Sequence, residues 1–333
     1  MNILLTGGTG YIGSHATIIL IEAGHKVVLF DNLSNSRLDV VDRLKRITDQ
    51  STPFVEGDVR DTSLLSQTLR DYEIDAVIHF AGLKSVGESV LGPLRYFDNN
   101  VGGTISLLEA MQVNNVKTLV FSSSATVYGE PQYLPIDEMH PTSANNPYGR
   151  TKLQIEEMLQ DLASSDASWR IACLRYFNPV GAHHSGLIGE DPNGVPNNLM
   201  PFVSRVAAGS YRFVKIFGGD YPTHDGTGIR DYIHVLDLAE GHLAAINFLK
   251  KGHLGWYAIN LGTGYGSSVL EMINQFSVSN GVKVPYEIVA RRPGDVASCY
   301  ASAEKAEKML KWKASRNLDD MCTSAWKWQG SIK

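Results

Sequence analysis

Short apolar runs alternate along the first half of the chain with longer stretches in which apolar residues recur every three or four positions. Ile3-Leu4-Leu5 has the character of a buried strand, and Ser14 to Ala23 has the helical recurrence, stopped by Gly24. Val27-Val28-Leu29-Phe30 is a second strand ending in Asp31, and a third precedes Asp58-Val59. Val77-Ile78-His79-Phe80 and Leu119-Val120-Phe121 repeat the strand pattern, with helical stretches near 61–72 and 99–114, and Ile171 to Phe177 closes the series. Strand, helix, strand at this spacing predicts an α/β fold, a doubly wound parallel sheet with helices on both faces.

The pattern degrades after Pro179. Residues 181–201 are rich in Gly, Pro, Asn and His, which predicts a loop region that wraps a ligand. Two β-like runs follow, Phe213 to Phe217 and Arg230 to Val235, then a helical stretch from Asp237 to Leu249 and mixed elements. This half reads as a second, smaller α/β lobe interleaved with the first. The boundary falls at 1–178 against 179–333, with return segments to the first part around 230–250.

Composition narrows the function classes. The 333 residues are 43% hydrophobic and 20% charged, as in ordinary globular proteins, and the net charge of −5 gives no basic excess for nucleic acid. Cys173, Cys299 and Cys322 are far apart, without metal-ligand or redox spacing, which suits a reducing compartment. The N-terminus lacks a signal-peptide pattern, and no run approaches the roughly 18 apolar residues of a membrane helix. The expectation is a cytoplasmic protein with no membrane partner. His183-His184 lacks carboxylate or cysteine ligands at regular spacing, so no metal is expected.

Gly7, Gly10 and Gly13 lie between the first strand and the first helix. Glycine there permits the tight turn, lets backbone approach a pyrophosphate, and aims the helix N-terminus at that anion. Asp31 stands at the end of the second strand, where a carboxylate accepts hydrogen bonds from ribose hydroxyls and repels a 2′-phosphate. The half is therefore a Rossmann-type domain, with NAD favoured over NADP. Asp58-Val59 falls where the adenine end would rest, and Phe80-Ala81-Gly82-Leu83-Lys84 offers small backbone and one cation near the cofactor.

In Tyr148-Gly149-Arg150-Thr151-Lys152, Tyr148 and Lys152 face the same side of a helix one turn apart. A nearby ammonium and a positive nicotinamide ring both stabilise phenolate, which lowers the tyrosine pKa toward the working pH. Ser122-Ser123-Ser124 ends the preceding core strand, and Ser124 is the expected catalytic hydroxyl.

Glycine loop, serine and Tyr-x-x-x-Lys together resemble the extended short-chain dehydrogenase/reductase superfamily. Ser122-Ser123-Ser124-Ala125-Thr126-Val127-Tyr128-Gly129, Arg175-Tyr176-Phe177-Asn178-Pro179-Val180-Gly181-Ala182 and Gly226-Thr227-Gly228-Ile229-Arg230-Asp231-Tyr232-Ile233-His234-Val235 are similar to segments of the UDP-glucose (galactose) 4-epimerases, a likeness running from Met1 to about Trp328. Arg150, where many relatives have Lys, departs mildly. The resemblance implies reversible 4-epimerisation of UDP-glucose and UDP-galactose through a 4-keto sugar, in galactose metabolism, by a homodimer with tightly held NAD. Tyr148 becomes the base, Ser124 its proton partner and Lys152 the tuner. Tyr11, Ile12, Asn32, Asn35, Ser36, Val59, Phe80, Ala81, Gly82, Lys84, Asn99, Ser122 and Phe177 become cofactor contacts.

On the substrate side the resemblance implies Arg230 and Arg292 for the diphosphate, Asp295 for the uridine ribose, and Lys84, Asn178, Asn198, Leu199 and Phe217 around the nucleotide sugar. Cys299 falls where relatives restricted to plain hexoses resemble one another in carrying Tyr. A thiol leaves room for an acetamido group, so N-acetylated UDP-hexosamines are expected substrates as well. A 4,6-dehydratase is the enzyme alternative, but it needs an acid/base pair after the catalytic hydroxyl, where Ala125-Thr126 stand. A silent NAD-binding scaffold is the other, and Tyr148, Lys152 and Ser124 are all present.

Overall fold

The structure, a computed structural model, describes residues 1–333 apart from Asn193, Val195, Asn197, Pro293 and Lys333, so part of the expected 181–201 loop lies outside the described residues. Six strands come first: β1 (Asn2–Thr6), β2 (Lys26–Asp31), β3 (Phe54–Glu56), β4 (Ala76–His79), β5 (Thr118–Ser122) and β6 (Arg170–Tyr176). β7 (Asn178–Val180), β8 (Val214–Phe217), β9 (Ile229–Arg230) and β10 (Tyr232–His234) follow, then β11 (Gly255–Leu261), β12 (Ser267–Ser268), β13 (Tyr286–Val289) and β14 (Ser298–Cys299).

Among the described residues, seven strands form one parallel sheet in the order β11-β6-β5-β4-β1-β2-β3. The strands are apolar on both faces because both faces are covered. Ile3, Leu5, Val27, Leu29, Ile78 and Leu174 point into one core, against helices Tyr11–Glu22 and Val235–Lys250. Their neighbours Leu4, Val28, Phe30, Val77, Phe121 and Cys173 point into the other, against helices Thr62–Asp71, Gly103–Val113 and Pro147–Ser165. The chain runs outward from β1 through β2 to β3, then returns to β4 on the other side. A crevice opens at the carboxyl ends of β1 and β4, where this reversal leaves room for a ligand.

The first helix starts at Tyr11 rather than Ser14, because Gly10, in extended conformation, already serves as its N-cap. The run Arg230 to Val235 is not one strand. Asp231 turns inward, and its carboxylate accepts hydrogen bonds from the backbone N–H groups of Thr263, Gly264 and Ala301. That breaks the run into β9, which lies between β12 and β14, and β10, which pairs with β7. Val235 opens the helix that returns to the main sheet, and β11 then adds its outer strand. The second lobe pairs β8 with β13 and packs Val203, Ile216, Met272, Phe276 and Met321 into a core of its own.

Candidate active site

Gly7 has a φ of 70°, and a Cβ there would stand 2.7 Å from the Ala81 nitrogen. A Cβ on Gly13 would fall onto the Gly7 carbonyl oxygen. The turn is thus closed to any side chain, while Gly10 caps the helix without a side-chain acceptor. The N–H groups of the first helical turn, together with the positive end of the helix, are left for an anion. Asp31 is fixed beside them by Thr9 N (3.2 Å), Leu33 N (2.9 Å) and Ser36 Oγ (3.0 Å).

From this turn a cleft of about 470 Å³ runs along the sheet edge. Of the residues anticipated from sequence, it is lined by Gly7, Gly10, Tyr11, Ile12, Gly13, Asp31, Asn32, Asn35, Ser36 and Val59. Phe80, Ala81, Gly82, Lys84, Asn99, Tyr148, Lys152 and Asn198 continue the lining. Asp58 stands behind it. Hydrogen bonds from Arg60 hold the Asp58 carboxyl well below the usual range, and Asn32 Nδ2 donates to it at 3.1 Å.

A segment that the sequence suggested only as a ligand-wrapping loop forms the outer wall: Leu187, Ile188, Gly189, Glu190, Asp191 and Pro192 line the cleft together with Trp328. It is tied across the cleft. Tyr11 Oη donates to Gly181 O (2.7 Å), Arg43 Nη1 to Leu187 O (3.2 Å), and Lys84 Nζ to Glu190 Oε1 (3.1 Å). Asn198 Nδ2 donates to the same Glu190 oxygen at 2.6 Å, and Trp328 Nε1 to the Glu190 carbonyl. No sequence signal marks Glu190 or Trp328, because both act through contacts distant in the chain.

Two of the three expected catalytic residues, Tyr148 and Lys152, line the inner end. Asn146 Oδ1 caps the helix Pro147–Ser165 by accepting from Gly149 N at 2.9 Å, with Pro147 in the first turn. This places Tyr148 and Lys152, 7% and 4% exposed, one turn apart. Ser124 is within side-chain hydrogen-bonding reach of the Tyr148 phenol. Its Oγ also accepts from Thr126 N (3.2 Å) and Thr126 Oγ1 (3.0 Å). Burial pulls the Lys152 ammonium down to about 8, opposed by the Glu156 carboxylate.

The expected depression of the Tyr148 pKa does not hold for the protein by itself: burial pushes the phenol up, and the Ser124 hydrogen bond offsets only part. The reason is geometric. The Lys152 ammonium donates to Ser122 O at 2.8 Å and lies 4.7 Å from the Phe121 ring centroid, so it is not spent on the phenol. Ser122 itself is buried, with Oγ 2.7 Å from Tyr176 Oη.

The remaining expected substrate residues, Asn178, Leu199, Phe217, Arg230, Arg292, Asp295 and Cys299, do not line this cleft. Arg292 donates to Asp295 (3.0 Å) and lies over the Phe217 ring at 4.5 Å, while Arg230 and Cys299 are register partners on β9 and β14. Asn178 is exposed at the start of β7, and Leu199 starts the helix Leu199–Ala207. Phe177 packs with Val127, Tyr128 and Ile136, a cluster that Cys299 also touches, rather than on the cleft. Among the described residues no group of three His, Cys, Asp or Glu side chains is arranged to hold a metal.

A family model described as GDP-mannose 4,6 dehydratase matches residues 4–325. The chain is 54% identical over 331 residues to a UDP-glucose 4-epimerase of Bacillus subtilis, covering 99% of this chain and 97% of the relative. The chain belongs to the UDP-glucose 4-epimerases. A solved epimerase of this family from Stenotrophomonas maltophila, with bound NAD and formylated UDP-arabinopyranose, superposes with a TM-score of 0.98 at 54% identity, covering 100% of this chain and 98% of that one. One from Bifidobacterium longum, in complex with NAD+ and UDP, gives 0.96 at 50% identity, with coverage of 100% and 99%. Within the epimerase family the dehydratase description marks a shared frame. The position after the serine, Ala125-Thr126, holds no carboxylate pair, and Thr126 is committed to Ser124.

Proposed function

We propose that this protein interconverts UDP-glucose and UDP-galactose by inverting the hydroxyl at the sugar C4 carbon with NAD bound in the cleft. The observation that carries the reading is that Tyr148 and Lys152, with Ser124 in hydrogen-bonding reach of the Tyr148 phenol, line the inner end of a cleft whose outer end is a glycine turn closed to side chains. The glycine turn would receive the pyrophosphate, Asp31 the adenosine ribose, and Lys152 the nicotinamide ribose. NAD, when bound, accepts a hydride from the sugar carbon and gives it back to either face. Tyr148 takes the hydroxyl proton in one direction and returns it in the other, and Ser124 aligns that hydroxyl. A positive charge brought into the cleft opposes the burial that raises the Tyr148 pKa.

Arg230 and Arg292 supply forked donors for the diphosphate, while Asp295, Asn178, Asn198, Leu199 and Phe217 hold the nucleotide and the hexose. The nucleotide must be held firmly and the hexose loosely, so that the 4-keto sugar can turn over. Cys299, beside Arg230, is small enough to admit an acetamido group, which supports N-acetylated UDP-hexosamines as further substrates. Residues 1–178, with return segments around 230–250, serve the cofactor, and 179–333 serve the UDP-sugar. A homodimer, a cytoplasmic location and a place in galactose metabolism complete the reading. The exposed apolar side chains of Val90, Leu91 and Leu94 support the pairing, and no helix among the described residues is long and apolar enough to cross a membrane.

The test is to incubate purified protein with UDP-galactose, adding no cofactor, and identify the products. UDP-glucose without net NADH is expected. A 4-keto-6-deoxy sugar, or stoichiometric NADH, would replace the proposal with a dehydratase or a dehydrogenase.

A further inference from the structure

Behind Lys152 lies a nearly enclosed ion pair that does not line the cleft. Glu156 and Arg175 are 2% and 5% exposed. Arg175 Nε is 3.0 Å from both Glu156 carboxylate oxygens, and its Nη2 is 2.5 Å from Oε2. Two charges taken out of water gain little net stability over an apolar pair of the same volume, so stability alone does not account for them. Their remaining hydrogen bonds indicate what they do.

Glu156 Oε1 accepts from Ser123 Oγ at 2.5 Å. Arg175 Nη1 donates to Tyr128 Oη at 3.1 Å, with the guanidinium 5.0 Å from that ring's centroid. Tyr128 Oη donates in turn to Asn260 Oδ1 at 2.6 Å, and Asn260 Nδ2 donates to Ile136 O at 2.9 Å. Ser123 and Tyr128 are the two ends of the short turn that carries Ser124, which caps the 3₁₀ segment Ala125–Tyr128. Glu156 is on the helix Pro147–Ser165, four residues beyond Lys152 and eight beyond Tyr148, on the same helix face.

We infer that the Glu156–Arg175 pair is a positioning clamp: it grips both ends of the Ser123–Tyr128 turn and sets Ser124 in register with Tyr148 and Lys152. The inference rests on the proposed epimerase reaction. Proton exchange between a sugar hydroxyl, Ser124 and Tyr148 needs all three oxygens in line, and a displacement of about 1 Å in such a group costs on the order of 100-fold in rate. The clamp makes that alignment a property of one helix. The turn cannot shift without breaking a charge-assisted hydrogen bond in a medium where nothing replaces it. Glu156 also keeps a negative charge near the Lys152 ammonium, which burial would otherwise discharge further.

Four variants of the full-length protein test it: Ser123→Ala, Tyr128→Phe, Glu156→Gln and Glu156→Ala. The readouts are kcat and KM for UDP-galactose, NAD content and Tm. Ser123→Ala and Tyr128→Phe should each lower kcat about tenfold, the scale of a fraction-of-an-ångström misplacement, with KM and NAD content unchanged. Glu156→Gln, which keeps an acceptor for Ser123, should retain more activity than Glu156→Ala. If Ser123→Ala and Tyr128→Phe lose Tm but keep wild-type kcat, the pair is only structural and the clamp is wrong. Should the Glu156 variants fail to fold, the Ser123 and Tyr128 variants still decide. A wild type inert toward UDP-galactose would remove the proposed reaction, not the clamp. The crystal structure of Ser123→Ala then decides, with a displaced Ser124 Oγ expected and an unmoved one overturning the inference.

Discussion

Tyr148 and Ser124 are both nearly buried, and Tyr148, with Lys152, lies where the cleft reaches the helix Pro147–Ser165. Tyr148→Phe and Ser124→Ala should each cut turnover by about 100-fold or more, as loss of a positioned proton-transfer group does. NAD content and Tm should stay near wild type, because neither hydroxyl holds the core together. Near-wild-type turnover in either variant refutes the assigned role. Cys299 carries a different expectation. It is half-buried, burial pushes its thiol up to about 11, and it packs against the turn that holds Tyr128. On the proposed reading, a phenol at this position would take the space assigned to an acetamido group. Cys299→Tyr should abolish conversion of UDP-N-acetylgalactosamine and leave UDP-galactose conversion within about threefold, a difference below 1 kcal/mol. If the wild type ignores the acetylated sugar while converting UDP-galactose, volume at Cys299 does not set the range.

The glycine turn and the helix after it work as one element. Gly13→Ala drives a methyl group onto the Gly7 carbonyl oxygen, so the turn proposed to receive the pyrophosphate must open. Retention of NAD should weaken about tenfold or more, a cost of about 1.4 kcal/mol, read as dinucleotide per protein after dialysis. Full occupancy in the variant would show that the turn does not bind the anion. This element was legible in the sequence because its glycines answer a local demand, as were the main strands through their unbroken apolar runs. Helices such as Asp39–Thr48, Val269–Asn280 and Leu318–Ser331 were not read, although the first carries acidic residues in its first turn and basic ones in its last, and the other two open on the capping pairs Ser268/Glu271 and Asn317/Asp320. Glu156 stood four residues past Lys152 and was within reach of spacing arguments. Arg175, its partner, was joined to it only by the fold.

Several buried imidazoles are stored neutral. Burial lowers His15, His79 and His234 to about 3 and His242 to about 4, against an ordinary value of 6.5. His15 and His242 each direct Nδ1 at a backbone carbonyl, and their Nε2 atoms lie buried without a partner among the described residues, so a second proton has no acceptor. In the unfolded chain these groups protonate as the pH falls below about 6.5, whereas in the folded one they resist until about 3 to 4. Stability is therefore complete above that upper limit and is lost as the pH falls through the window, by up to about 1.4 kcal/mol per pH unit for each histidine. Glu138 and Asp231, held up by burial, oppose this near the acid end. Tm should drop clearly between pH 7.5 and pH 5.5, and an unchanged Tm would contradict the stored-neutral account. The sheet order has its own bearing on the life of the chain. β6 ends at Tyr176, but the strand that covers its edge, β11, begins only at Gly255. A polypeptide leaving the ribosome thus carries an open, apolar strand edge while the intervening lobe is still being made. Such an edge pairs with whatever strand arrives first. A stop codon anywhere in that interval leaves the cell with a product to shield or degrade, not with a smaller working protein.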